Sequence, residues 1–335
     1  MSNKKVNKKE IIFIIIVLIV QTLLYIYVGT QKSYLHIDEI YSYGLTHYKS
    51  IEITDNLDFF NNWHTKEYYE EYLTLQGDDV SNFTPVYENQ KNDVHPPLYY
   101  LLLRIFMMFA GNNFSKWTGI ILNIIIYMFI TIFMYLILKK LFENDKYSAQ
   151  KSAILTFVSS AILASLSNVI YIRMYALSTF NILITTYLHI KLLESDEVRP
   201  KLLTFIGIFI LAGILTHYYY LLYLVPLYIM VFVKYIKEKQ FAKLFHYTLA
   251  IIFAGILSLI IFPYSIKHMF FEYRGQGVIS NLESFGTILN NIKEQLYTLN
   301  YYGFNNTLLL ILIIIVILNI LKKRKIEIQQ NKKEI

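Results

Sequence analysis

The chain has 335 residues, 55% of them hydrophobic and only 16% charged. Soluble domains carry about a quarter charged residues, so this composition belongs to the membrane class. The absence of cysteine excludes disulfides and thiolate metal sites, and the net charge of +7 lies in short Lys/Arg blocks between apolar runs rather than on a basic, aromatic-interleaved face, which argues against a nucleic-acid partner.

In chain order, the first apolar run covers 11–29 and follows Lys4, Lys5, Lys8 and Lys9. It is long for a signal-peptide core and no small-residue cleavage site follows it, so it reads as a retained anchor. Residues 30–94 come next, with twelve Asp and Glu against four Lys and many Tyr and Asn. Such a segment is too aromatic for a disordered linker and too short for an independent domain; it predicts short helices packed on the membrane surface. Asp78-Asp79, beside Gly77, reads as a turn within it.

Pro96-Pro97 fits the first turn of a helix over 98–110, since proline lacks the amide that a helix start leaves unpaired. That helix is short and carries Arg104 at its centre, so it is expected at the interface or re-entrant rather than crossing. Further spans are expected at 117–138, 152–171, 175–193, 202–217, 218–233, 247–263 and 304–321, eight in all with the first. With 98–111 not crossing, segments 1–10, 139–151, 191–201, 234–243 and 322–335 share one side and hold 21 of the 31 Lys and Arg. The positive-inside rule makes that side cytoplasmic, with both termini inside and 30–116 and 264–303 outside.

The chemistry-bearing residues gather at the outer edges of spans. Asp38 and Glu39 stand in His36-Ile37-Asp38-Glu39-Ile40-Tyr41. Being adjacent they point to different sides, so one faces a cleft while the other braces it. A carboxylate beside apolar surface resists ionising and suits a general base; two solvated acids at a helix end are the plain alternative. Asp93 and His95 precede the proline pair, where the histidine serves as neutral donor, cation for an anionic group, metal ligand with a nearby acid, or simple helix cap. Arg173, in Tyr171-Ile172-Arg173-Met174-Tyr175-Ala176-Leu177, is the one basic residue between Lys151 and Lys191. It either snorkels or grips a lipid phosphate. His217 opens His217-Tyr218-Tyr219-Tyr220, which also reads as an interfacial tyrosine belt. Lys267, His268 and Arg274 add positive charge to the last outer segment.

These segments, in this order, resemble polytopic glycosyltransferases of the GT-C fold, in particular the group of protein O-mannosyltransferases and aminoarabinose transferases with its uncharacterised bacterial members. The likeness covers roughly 10–235. It implies an all-α integral membrane protein, a single polytopic domain over 1–335, in which 10–235 is the catalytic module with outer loop 30–116, and 236–335 holds the C-terminal spans with outer loop 264–303. It further implies transfer of a sugar, with inversion, from a polyprenyl-phosphate donor to an envelope acceptor on the outer face of the cytoplasmic membrane. By the same resemblance Asp38 is the catalytic carboxylate with Glu39 beside it, and Asp93, His95, Tyr99, Arg173, Tyr175 and His217 bind substrate, Arg173 on the donor phosphate. No cofactor is obligatory on this reading, a divalent metal being optional, and no metal ligands are assigned. Two rival readings are a flippase or transporter for a lipid-linked substrate and a non-catalytic envelope assembly protein. The first would want ionisable groups at mid-span, where this sequence is nearly all apolar.

Overall fold

A computed structural model describes residues 8–47, 62–75, 80–111, 113–282, 284–304, 306–317 and 320. Asp78 and Asp79, read above as a turn, lie outside the described residues. Every regular element described is helical, as expected for an all-α membrane protein. Lipid offers no hydrogen-bond partners, and a helix satisfies its backbone internally.

Helix α1 (Lys8–Gln31) leads into the short helices α2 (Ile37–Gly44), α3 (Lys66–Leu73) and α4 (Thr84–Asn92), then α5 (Leu98–Ala110). The bundle continues with α6 (Lys116–Leu141), α7 (Ser148–Ala161), α8 (Leu163–Ile170), α9 (Tyr175–Leu193), α10 (Pro200–Thr216), α11 (Tyr220–Lys237) and α12 (Phe241–Ile261). Three helices follow, α13 (Ser265–Phe270), α14 (Tyr273–Leu282) and α15 (Phe285–Thr298). The chain divides into two compact units, one of residues up to 161 with 165–276, the other of 162–164 with 277 onward.

Among the described residues five helices are long and apolar enough to span: α1 from Glu10, α6, α9, α11 and α12. The number rises to seven if two bent pairs each count once: α7 with α8, bent by 60°, and Phe285–Gly303 with Leu308–Ile317, bent by 89°. The eighth expected span is α10, whose 17 residues reach about 25 Å at 1.5 Å per residue, short of the roughly 30 Å hydrocarbon layer. Helix α10 nonetheless packs between α9 and α12.

Helix α5 shows why 98–110 stays short. Arg104 is buried and donates through Nη1 to the Thr46 carbonyl at 2.7 Å and through Nη2 to that of Val80 at 3.2 Å. Its charge is thus spent on the connecting segment, which it ties down over the helix.

Lipid tails are as apolar as leucine, so span-to-span adhesion rests on close packing and interhelical hydrogen bonds. The α9–α12 bundle supplies both. Asn181 bonds Thr216 at 3.0 Å, Thr185 bonds Tyr220 at 2.8 Å, Thr186 bonds Tyr223 at 2.8 Å, and His189 Nε2 meets the Tyr247 hydroxyl at 3.0 Å. At one end of the bundle the lysine-rich segments meet. Lys139 pairs with Glu10, Lys140 lies 2.7 Å from Glu194, and Lys234 and Lys243 donate to the carbonyls of Leu193 and Ser195. These four segments therefore meet at one end of the bundle, while the fifth basic segment, 322–335, lies outside the described residues.

Candidate active site

The opposite end of α6 carries the site. Helix α2 begins with a capping box: His36 Nδ1 accepts from the Asp38 amide at 3.2 Å, and the Glu39 carboxylate accepts from the His36 amide at 2.7 Å. Reciprocal caps of this kind satisfy two orphan donors at a helix start. Glu39 does more. Its Oε2 also receives Lys32 at 2.8 Å, and its Oε1 receives the Ile172 amide at 2.8 Å, 133 residues away in sequence. Both oxygens are engaged by the protein and the side chain is fully buried. Glu39 therefore clamps the start of α2 to the turn between α8 and α9.

That turn carries Arg173. It is tight, with the Arg173 amide bonded to the Tyr171 carbonyl at 2.8 Å. Beneath it, Ile172 presses on Gly119 so closely that a Cβ there would sit 2.3 Å from the isoleucine Cγ2. Asn123 closes the arrangement, donating to the carbonyls of Val169 and Tyr171 and accepting from Tyr99 at 3.2 Å. Tyr99 is fully buried in this underlying layer.

Helix geometry then turns Asp38 away from Glu39. The Asp38 side chain remains 37% exposed, open to a bound molecule. Its Oδ2 accepts the Tyr171 hydroxyl at 2.8 Å, and the same hydroxyl stands 3.3 Å from His36 Nδ1. The bond and its burial raise the Tyr171 pKa well above the phenol range, burial contributing most. Tyr171 thus stays neutral, a fixed donor that orients the carboxylate.

Arg173 is buried, with 4% of its surface exposed. Its side-chain hydrogen bonds to described residues run through Nη1: to the Asp38 carbonyl at 3.3 Å, the Tyr100 hydroxyl at 3.2 Å and, longer, Ser42 Oγ at 3.5 Å. Nε lies buried with no partner among the described residues. Burial opposes the charge, but Tyr100, Asp38 and Asp93 more than compensate and leave its pKa above the usual arginine value. A fixed cation with an unspent donor is a ready receptor for a tetrahedral anion.

The second cluster lies close by. His95 Nδ1 is 2.7 Å from Asp93 Oδ2. Burial pushes the Asp93 carboxyl up, yet the His95 bond, the Val94 amide and the Arg173 charge bring it below its ordinary value. The His95 ring lies 6.1 Å from that of His217, His217 lies 6.0 Å from Tyr175, and Tyr175 stacks on Tyr171 at 5.9 Å with 6° between the planes. An aromatic wall therefore runs from Asp93 and His95 to Asp38. Among the described residues no group of three His, Asp or Glu side chains is placed to hold a metal ion.

Seven of the eight sequence candidates meet around this wall or its clamp, and Tyr99 lies in the layer beneath. Tyr100, Tyr171, Ser42, Asn123 and Lys32 were not singled out from sequence. Ser42 was findable, since it follows Asp38 by one helical turn; so was the capping role of Glu39, three residues after His36. Nothing in the sequence separates Tyr99 from Tyr100. His268, expected to add positive charge, is buried between the Tyr218 hydroxyl at 2.8 Å and the Lys91 carbonyl at 3.3 Å, and burial lowers its pKa. It is a neutral brace behind the wall rather than a cation. Lys267 pairs with Glu272 at 2.7 Å, and the Arg274 side chain lies outside those described.

Comparison with known proteins matches residues 94–263, just over half of the chain, to the family described as dolichyl-phosphate-mannose-protein mannosyltransferase. The matched stretch includes His95, Tyr99, Arg173, Tyr175 and His217, begins one residue after Asp93, and leaves Asp38 and Glu39 before it. No curated protein and no solved structure matches. The chain belongs to the dolichyl-phosphate-mannose-protein mannosyltransferase family, with its GT-C fold, and is a membrane glycosyltransferase.

Proposed function

We propose that this glycosyltransferase takes a sugar from a polyprenyl-phosphate donor and places it, with inversion, on a hydroxyl of a cell-envelope acceptor at the extracytoplasmic face. One observation carries the reading. An open carboxylate, Asp38, and a buried guanidinium with an unspent donor, Arg173, come from segments 135 residues apart and meet where Arg173 Nη1 donates to the Asp38 backbone carbonyl at 3.3 Å. Lipid-phosphate transfer needs that pair. The acceptor hydroxyl gives its proton to Asp38 as its oxygen attacks the anomeric carbon. The bond from that carbon to the phosphate oxygen breaks, and the electron pair leaves with the phosphate, where Arg173 meets the added charge.

The other groups hold that geometry. Tyr171 orients Asp38, Glu39 holds α2 to the Arg173 turn, and Tyr99 supports the turn through Asn123. Asp93, His95, Tyr175 and His217 line the sugar's side, with the ionised Asp93 keeping His95 oriented. The side of the membrane follows from charge. The lysine-rich segments gather at the far end of the bundle, which the positive-inside rule makes cytoplasmic.

The test supplies membranes containing the protein with a panel of radiolabelled polyprenyl-phosphate sugars and follows the label. The reading expects one donor to lose its label to an envelope fraction, and Asp38→Asn membranes to transfer none. Label that crosses the bilayer still attached to its lipid, with no transfer, would instead favour a flippase.

A further inference from the structure

The lysine end of the bundle contains a second site. Helices α1, α6, α7 and α9 and the α6–α7 connection surround a cavity of about 970 Å³, at the upper end of the range for small-molecule sites. Its lining on α6 runs from Ile132 to Lys140, nine to seventeen residues beyond Asn123 and so roughly 14–26 Å along the helix, which separates it from the Asp38–Arg173 junction. Its depth is apolar, formed by Ile14, Leu18 and Leu136. Its mouth carries Lys139, Lys140, Lys146 and Lys191 against Glu10, Glu143 and Asp145.

Most of those charges are already paired: Lys139 with Glu10, Lys140 with Glu143 and Glu194, and Lys191 with Glu194 at 3.5 Å. Lys146 is different, with its ammonium 5.5 Å above the Tyr147 ring. A second observation points to a ligand. Tyr135 lines the same cavity and is only 5% exposed, and its hydroxyl, itself out of solvent reach, has no hydrogen-bond partner among the described residues. Buried hydroxyls are almost always paired, so an orphan at a cavity wall marks a place where something else bonds. Tyr135 stands one turn before Lys139 on α6, which puts a neutral donor just below the charged mouth.

We propose that the cavity holds one membrane lipid with a phosphate headgroup. Its acyl chain lies along Ile14, Leu18 and Leu136, the Tyr135 hydroxyl donates to an ester carbonyl, and the phosphate sits at the mouth beside Lys146. Basic pockets between spans on the cytoplasmic side select such headgroups. The charged rim and apolar depth suit an amphiphile better than free phosphate.

The test is native mass spectrometry of the delipidated full-length protein, titrated separately with phosphatidylglycerol, with diacylglycerol of the same chains, and with inorganic phosphate. One retained phosphatidylglycerol is expected, binding about tenfold or more tighter than diacylglycerol, with millimolar phosphate failing to displace it. Tyr135→Phe and Lys146→Gln should each weaken that binding several-fold, while Tyr135→Phe keeps its lipid-free melting temperature. Equal retention of diacylglycerol would overturn the proposal. So would displacement by inorganic phosphate, or Tyr135→Phe binding as tightly as the parent.

Discussion

Two polar regions of this bundle look alike in composition and differ in how fully their groups are spent. In the seam between α9, α10, α11 and α12, Asn181, Thr185, Thr186 and His189 each find a partner on another helix. At the α2–α9 junction Glu39 is equally spent, but Asp38 keeps an exposed carboxylate and Arg173 keeps a buried Nε without a partner among the described residues. The seam is glue, worth well under 2 kcal/mol per bond in membrane proteins. The seam leaves the neutral Tyr235 hydroxyl without a partner among the described residues, whereas the junction holds charged capacity in reserve that a substrate can use.

The largest test of that contrast is Asp38→Asn. It should lower transfer about 10²–10⁴-fold, the usual worth of a positioned base, with melting temperature nearly unchanged, because the Tyr171 bond can persist to the amide oxygen. A fall in stability as large as the fall in activity would make Asp38 one more structural group. Arg173→Lys keeps the charge but loses the planar fork; donor affinity should fall tenfold or more, read by titrating donor concentration. Glu39→Gln should act on the fold, since it leaves Lys32 buried opposite a neutral group. Breaking a buried ion pair costs about 3–5 kcal/mol, measured here as a lower melting temperature in detergent.

Smaller effects sharpen the other side of the comparison. Thr185→Val should cost ~0.6–1.5 kcal/mol and leave transfer per folded molecule unchanged; a selective loss of transfer would mean the seam is more than glue. The His268 brace should respond to pH. Its folded pKa lies below the unfolded value near 6.5, so the unfolded chain binds the extra proton first. Stability from this group is full above about pH 6.5 and falls as acidification proceeds toward the lowered pKa. Melting curves from pH 7.5 to 5.5 should show that loss, and His268→Asn should flatten it.

Much of this was legible in the sequence because lipid is a severe solvent. It forces long apolar runs, and the positions of α1, α6, α9, α11 and α12 follow from them. The break between α7 and α8 was not legible, since residues 152–171 read as one span without proline or glycine. The structure shows what permits it: Ser165 Oγ donates to the Ser159 carbonyl at 2.7 Å, so a side chain meets a backbone group released at the bend. The expected span at 202–217 is a helix one turn too short to cross untilted, a margin that hydropathy alone does not resolve. At the junction, Asp38 and Arg173 stand out as charges at span edges. Tyr100 does not, because the choice between it and Tyr99 is made by the rotation of α5 against α6. The clamp at Glu39 depends on the amide of Ile172, and a backbone group leaves no mark in a sequence pattern.

The central claim is that Asp38 and Arg173 divide one reaction between them, proton removal and phosphate stabilisation. The most direct measurement is donor affinity and single-turnover rate, taken separately for Asp38→Asn and Arg173→Lys with the donor found in the labelling screen. Asp38→Asn should bind donor normally and fail to turn it over, while Arg173→Lys should lose donor affinity. Full turnover by Asp38→Asn, or unchanged donor affinity in Arg173→Lys, would contradict it.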